Sequence, residues 1–515
     1  MPGFWQDAVE DPGRLAVVDP DGREISAGDL LSLCNRLVHG LRDMGLGEGD
    51  GIAVVMPNSI EMLALYFAAM QAGWYLTPIN HHLVGPEIAY IVDDCDAKVF
   101  VGHERFAEAC ANAAGEFALG ADRCFAIGDV PGFRPFDDLV AGQPDTAPEH
   151  RTAGQPMHYT SGTTGRPKGV RRQLSGLVPD DAGMLFTFLL QMFGIQPGDG
   201  HVHICGSPLY HTAVLAFASS SVHLGHPVVL MDKWTPEGML ASIDRYGVTH
   251  SHMVPTQFNR LLALPVEVRD RYDVSSLRNM IHAAAPCPVE VKRQMLEWWG
   301  PVIYEYYAAT EGGGTLVSSE EWLERPGTVG KAWPSSEIRI LDDDGNDVPT
   351  GETGTVYMKL ASAAFEYHKN AESTAASRRE GFFTVGDIGY LDEGGYLFLC
   401  DRKSDMIISG GVNIYPAEIE GELHAHPKVA DVAVFGIPHP DWGEEVKAVV
   451  QPVDGVEPGD EFAAELAEWC STRLAKFKIP RTFDFSEELP RDPNGKLYKR
   501  RLRDPYWEGH DKAII

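Results

Sequence analysis

The chain has 515 residues, 44% of them hydrophobic and 23% charged, which is the make-up of a globular protein of about two to four domains, each with its own core. A formal net charge of −31 argues against nucleic acid or an anionic membrane surface as the main partner. The eight cysteines stand singly, without CxxC or Cys/His metal spacing, so reduced thiols in a cytoplasm are expected.

The opening MPGFWQDAVEDPGR lacks the basic and apolar regions of a signal peptide. GIAVVMP (Gly51–Pro57) is a strand candidate, SIEMLALYFAAMQAG an amphipathic helix and WYLTPIN (Trp74–Asn80) the next strand. This β–α–β rhythm predicts a parallel or mixed sheet covered by helices. MLFTFLLQMFG is too short to span a bilayer. The rhythm returns in HPVVLMD, a helix around PEGMLASIDRYG, and VTHSHMVP; a further helix, PCPVEVKRQMLEWWG, stops at Gly300. Beyond residue 325 short strands and turns such as EIRILDDDGNDVP and TGTVYMKL predict a small β-rich section. A third texture begins near residue 405, with strands DMIISGG and VNIYP, the helix PAEIEGELHAHP, strands DVAVFGIP and VKAVVQPV, and the helix EFAAELAEWCSTRLA. It reads as a compact α+β domain closed by a basic tail.

One stretch carries more chemistry than the rest. YTSGTTGRPKGV (Tyr159–Val170) interleaves Ser161, Thr163 and Thr164 with Gly162, Gly165 and Gly169, and adds Arg166 and Lys168. Hydroxyl donors, backbone that a ligand can approach closely, and cations together suit a polyanion such as a nucleoside triphosphate. No Asp or Glu occurs from Arg151 to Pro179, while that window holds Arg151, Arg166, Lys168, Arg171 and Arg172. A basic island in an acidic chain focuses an anionic ligand. It is not a Walker P-loop, since Lys168 is followed by Gly169 rather than by a hydroxyl residue.

Four further stretches follow: SPLYH (Ser207–His211), YYAATEG (Tyr306–Gly312), the long run Gly381–Glu420 containing GDIGYLD, CDRKSD and GGVNIYP, and LPRDPNGKLYKR (Leu489–Arg500). In this order and spacing, over nearly the whole chain, they resemble the adenylate-forming superfamily, in its acyl-CoA synthetase (fatty-acid–CoA ligase) branch. The resemblance implies an α/β fold: a large N-terminal domain of mixed sheets covered by helices with a β-rich subdomain, residues 1–402, and a small mobile α+β C-terminal domain, residues 403–515. It implies adenylation of a carboxylic acid by ATP with release of pyrophosphate, then transfer to coenzyme A. Thr160, Ser161, Gly162, Thr163, Thr164, Gly165 and Lys168 would grip the β- and γ-phosphates. Thr310 would contact the α-phosphate, and Glu311 would hold Mg²⁺. Tyr307 and Ala284, Ala285 and Pro286 would enclose the adenine, and Asp387 with Arg402 the ribose. Lys496 would stabilise the transferring group, and His211 would gate the carboxylate. Gly410 and Gly411 would leave room for the pantetheine arm, and the basic run Ser471–Arg503 suits an anionic visitor. Ala308, Val385 and Ser404 depart from the usual pattern, Ser404 at the hinge.

The acid is expected to lie between His211 and Gly312–Gly314, near Phe217, Met253 and Phe258. Side-chain-free glycines there suggest an open pocket and a medium- or long-chain fatty acid; an aryl, branched or steroid acid is the alternative. An amino-acid adenylating domain is disfavoured because SPLYHTAV offers no acid for an ammonium group. A non-catalytic nucleotide or acyl-CoA sensor is disfavoured because Lys496, Glu311 and Asp387 are all present. The expected partners are small molecules (acid, ATP and CoA), with no nucleic acid and no integral membrane segment; self-association into a homodimer is open.

Overall fold

The computed structural model describes residues 3–160, 167–360, 365–403, 405–410, 412–491 and 497–508. Ser161, Gly162, Thr163, Thr164 and Gly165 of the hydroxyl-rich stretch, together with Ser404, Gly411 and Lys496, lie outside them.

The N-terminal β–α–β rhythm is realised as expected. Strand Gly51–Val54 runs parallel between Tyr75–Pro78 and Ala97–His103 in a six-stranded sheet. The intervening helix, Ile60–Ala72, starts where the Ser59 side chain accepts from the Met62 N–H and stops at Gly73, whose φ of 73° is left-handed. That helix is not amphipathic. All of its residues except Glu61 are buried, because it packs within one core shared by two sheets. A helix covered on every side carries no polar face.

The second sheet has nine strands. Strands His203–Cys205, His250–Met253, Asn279–His282 and Ile303–Ala308 lie side by side and parallel, and Gly314–Val317 turns back antiparallel. Helix Thr212–His223 sends Phe217 toward His252 of this sheet, and helices Pro255–Leu262 and Val289–Trp299 place Phe258 and Lys292 beside His282 and Glu305.

The β-rich section is a six-stranded sheet in which Gly354–Leu360 pairs antiparallel with Ser336–Leu341 and with Asp387–Leu391, which pairs in turn with Leu397–Arg402. The C-terminal part carries a five-stranded sheet, with Ile407–Ser409 paired to Val412–Ile414 and Val429–His439 to Gly443–Pro452. Helices Pro416–His424 and Asp460–Ser471 bury Ile419, Leu423, Phe462 and Leu466 against it. Among the described residues no helix is long and apolar enough to cross a membrane.

Candidate functional site

The motif residues gather at one edge of the nine-stranded sheet. His203–Cys205 leads into Ser207–His211, Asn279–His282 into Ala284–Pro286, and Ile303–Ala308 into Thr310–Glu311. Open α/β sheets bind ligands beyond the carboxyl ends of their strands, where loops diverge. Ala284 sits there with φ of 73°, a left-handed conformation that non-glycine residues rarely hold.

The ribose-side residues meet through strand pairing. Asp387 and Arg402 stand opposite one another on adjacent antiparallel strands, and Arg402 Nε lies 3.3 Å from Asp387 Oδ1. The Tyr307 hydroxyl donates to Asp387 Oδ2 at 2.6 Å. Burial, and then the Asp387 charge, push the Tyr307 phenol well above its ordinary range, so it remains a donor. Asp387 is only 7% exposed, and its charge is compensated by this pair.

The phosphate-side residues meet across a second set of strands. Thr160 lies directly opposite Lys168 where His158–Thr160 pairs with Lys168–Arg172, which in turn pairs with Phe365–Tyr367. Lys168 Nζ donates to Ser373 Oγ at 2.8 Å and lies over the Tyr367 ring. The Tyr367 hydroxyl donates to Glu311 Oε1 at 2.7 Å, and the half-buried Arg172 guanidinium donates to the Thr310 carbonyl. The Thr310 hydroxyl lies 3.4 Å from that of Thr212, at the start of helix Thr212–His223.

Glu311 is a buried carboxylate aimed into a basic surround. Among the described residues no group of three or more His, Cys, Asp or Glu could hold a metal by itself. Mg²⁺ commonly takes one or two carboxylates and completes its shell with water and substrate phosphate, so a lone Glu311 suits it.

His211 precedes that same helix. Burial, then the neighbouring His158 and His252, lower its imidazole to about 3, and its Nε2 has no hydrogen-bond partner. At neutral pH it is a neutral ring rather than a cation. Gly410 has φ of 58°, and its N–H donates to the Trp442 carbonyl at 2.9 Å.

The glycine run differs from expectation. A Cβ on Gly313 would stand 3.3 Å from Met358 Cβ, and one on Gly314 would meet Trp333 Cζ2 at 2.9 Å. Close packing, and φ of 124° and 74° at Gly312 and Gly313, account for these glycines rather than an open pocket. Thr212, Tyr367 and Ser373 were not singled out as site residues by the sequence, and Arg172 was named only as one charge of the basic island, although each touches a residue that was singled out.

Acid, phenol and cations thus stand beyond the carboxyl ends of the parallel strands of a mixed sheet, ahead of a small α+β part, which is an α/β architecture suited to an anionic ligand. The AMP-binding enzyme family matches residues 4–368, and the AMP-binding enzyme C-terminal domain matches residues 418–496. The chain is 34% identical to a feruloyl-CoA synthase of Amycolatopsis sp over 94% of each chain. It is 31% identical to the long-chain-fatty-acid–CoA ligase FadD13 of Mycobacterium tuberculosis over 97% of each. ATP-bound MatB from Rhodopseudomonas palustris has a similar structure, with a TM-score of 0.83, 30% identity, and coverage of 99% of this chain and 100% of that one. The chain belongs to the AMP-binding enzyme family, in the CoA-ligase branch of the adenylate-forming superfamily, as the motifs implied. It is an enzyme of the AMP-forming acyl-CoA ligase type.

Proposed function

We propose that this chain uses ATP and Mg²⁺ to convert a hydrophobic monocarboxylic acid to an acyl-adenylate and then passes the acyl group to coenzyme A. The carrying observation is the convergence of Asp387, Tyr307 and Arg402 with Thr310, Glu311 and Lys168 at one sheet edge. A carboxylate is a poor acyl donor because oxide would have to leave. Attack of its oxygen on the α-phosphorus forms a P–O bond and expels pyrophosphate; attack of the CoA thiolate on the acyl carbon then expels AMP.

Each residue has a defined task in this reading. Asp387 and Arg402 hold the ribose, and Tyr307 with Ala284–Pro286 flanks the adenine. Lys168 with residues 160–165 binds the outer phosphates. Thr310, anchored by Arg172, aims its hydroxyl at the α-phosphate, where charge accumulates. Glu311 would hold Mg²⁺, which neutralises developing phosphate charge when bound. Lys496 would add a cation at the transferring phosphoryl group, and Gly410 and Gly411 would pass the pantetheine arm. His211, being neutral, would screen the carboxylate from water without pairing with it.

For the acid, the sequence reading favours a medium- or long-chain fatty acid with an aryl, branched or steroid acid as alternative, and the relatives' names include both a fatty-acid and an aryl-acid ligase. ATP–pyrophosphate exchange over a panel of acids tests the reaction. Exchange should need both Mg²⁺ and a hydrophobic acid, and no proteinogenic amino acid should support it. Exchange with an amino acid alone, and with no fatty or aryl acid, would exclude the CoA-ligase reading.

A further inference from the structure

Thr160 and Lys168, assigned above to the outer phosphates, stand opposite one another on the paired strands His158–Thr160 and Lys168–Arg172. One helix, Gly85–Asp94, reaches the ends of both strands. The Glu87 carboxylate accepts the Val84 N–H at its start, and Ile88, Ala89, Ile91 and Val92 are buried along one side. Tyr90 and Asp94, four residues apart, share another side. The Tyr90 hydroxyl donates to the Pro167 carbonyl at 3.1 Å, one residue before Lys168. The Tyr159 hydroxyl, one residue before Thr160, donates to Asp94 Oδ2 at 2.6 Å.

Tyr159 is directly paired with Gly169, and its ring crosses that glycine: a Cβ there would stand 3.0 Å from Tyr159 Cζ. Burial, and after it Cys95 and Asp94, push the Tyr159 phenol above its ordinary range, so its hydroxyl stays a donor. The turn that follows the helix is tied to the strand pair from the far side. Lys369 Nζ donates to the Asp94 carbonyl at 2.7 Å and to Asp96 Oδ1 at 2.9 Å, and the His368 N–H donates to the Gly169 carbonyl at 2.8 Å. Asp96 and Lys369 hold left-handed φ of 53° and 51°, which side chains rarely adopt. The buried apolar residues dock the helix into its core; the bonds to Tyr90 and Asp94 fix both strands to the helix.

We propose that Asp94 and Tyr90 are positioning residues for the outer phosphates of ATP, holding Thr160 and Lys168 in place from one side of helix Gly85–Asp94. This inference rests on the acid-activation reading above. A cation displaced by about 1 Å loses much of its hold on a phosphate, and neither residue has to touch the nucleotide to cause that. Outer phosphates are present in ATP and in pyrophosphate and absent from AMP. Loosening the strand pair should therefore act on the first two ligands and spare the third.

The test is titration calorimetry of the full chain with ATP and Mg²⁺ and with AMP, together with ATP–pyrophosphate exchange supported by octanoate, palmitate or cinnamate. Asp94→Ala should weaken ATP binding by about tenfold and raise KM for pyrophosphate by a similar factor, while Kd for AMP stays within about twofold. Tyr159→Phe keeps the ring over Gly169 and deletes the hydroxyl, so it should give the same split. These two changes break one bond, so together they should cost no more than either alone. Asp94→Asn still accepts from Tyr159 and should recover most of the loss. Tyr90→Phe should move ATP and pyrophosphate in the same direction as Asp94→Ala. Tyr159→Phe decides the matter if Asp94→Ala does not fold. Equal weakening of ATP and AMP, fully additive losses in the double variant, or unchanged ATP and pyrophosphate in folded Tyr159→Phe would overturn the inference alone. No exchange by the native protein with any acid would overturn the acid-activation reading, and this inference with it.

Discussion

Both oxygens of Asp387 are engaged, one by the Tyr307 hydroxyl and the other beside Arg402. If ribose hydroxyls are the intended donors, Asp387→Ala removes up to two charge-assisted bonds worth about 1.5–3 kcal/mol each. KM for ATP should then rise by roughly one to four orders of magnitude while KM for the acid changes little. Tyr307→Phe should have a smaller effect, since it frees one carboxylate oxygen and leaves the charge. An unchanged ATP dependence in Asp387→Ala would make that carboxylate structural. Thr310, Glu311 and Asp387 were legible because each sits in a short motif whose neighbours carry the signal. Tyr367 and Ser373 were not legible, and Arg172 was legible only as a charge in the basic island. Arg172 meets Thr310 across 138 positions, and Ser373 meets Lys168 across 205, through strand pairings that leave no local periodicity.

At the level of elements, alternation and caps located the strands and helices, because those signals are local. Ser59 and Gly73 bounded helix Ile60–Ala72 correctly, yet nothing in its sequence said that both sides would be covered. The nine-stranded sheet holds a comparable surprise. His201, His203, His226 and His250 pack ring to ring, with His203 and His250 4.7 Å apart at directly paired positions. Ser221 and Thr249 satisfy His250, Thr249 also bonds His201, and the Gln196 carbonyl meets His226. Asp199 lies 3.3 Å from both His201 and His226, and Arg14, Arg278 and His252 add further charge or titratable neighbours. Burial lowers all four imidazoles, His203 to about 3 and His250 well below the usual value; neighbouring rings add to this at His203, His226 and His250 and Arg278 adds at His201, while Asp199 opposes it at His201 and His226. The folded state therefore refuses protons that the unfolded chain accepts below its ordinary histidine range. Stability from this source is complete above about pH 6.5 and is lost on acidification, by at most about 1.4 kcal/mol per pH unit for each ring. Scanning calorimetry should show Tm falling steadily from about pH 7 to about pH 5. A flat Tm would mean that the cluster takes up protons in the folded state.

For the whole molecule, the proposal divides the chain into residues 1–402 and 403–515. Bonds at that boundary include Lys403 Nζ to Asp343 and the Ala417 N–H to Asp401. Adenylation and thioester formation make different demands, since the first needs a cation at the α-phosphate and the second needs a path for a thiol. Lys496→Ala should therefore lose acyl-adenylate formation by about 10²–10³-fold. Supplied with synthetic acyl-adenylate and CoA, the same variant should make thioester at a near-native rate. Ser404→Pro should reverse the pattern by fixing φ at the boundary. Single-turnover assays of each half-reaction read both variants, and equal losses in Lys496→Ala would argue against two poses.

The alternation along Ile303–Ala308 bears on how such an enzyme can change over generations. Neighbouring side chains on that strand answer to opposite faces, so Tyr306 can be exchanged without touching the partners of Tyr307. The packing of Tyr306 against Phe217 and His252, and the bond from Tyr307 to Asp387, then vary at separate, interleaved positions. A lineage built on this strand can repack one of its sides by point substitution while the Tyr307–Asp387 bond on the other stays fixed.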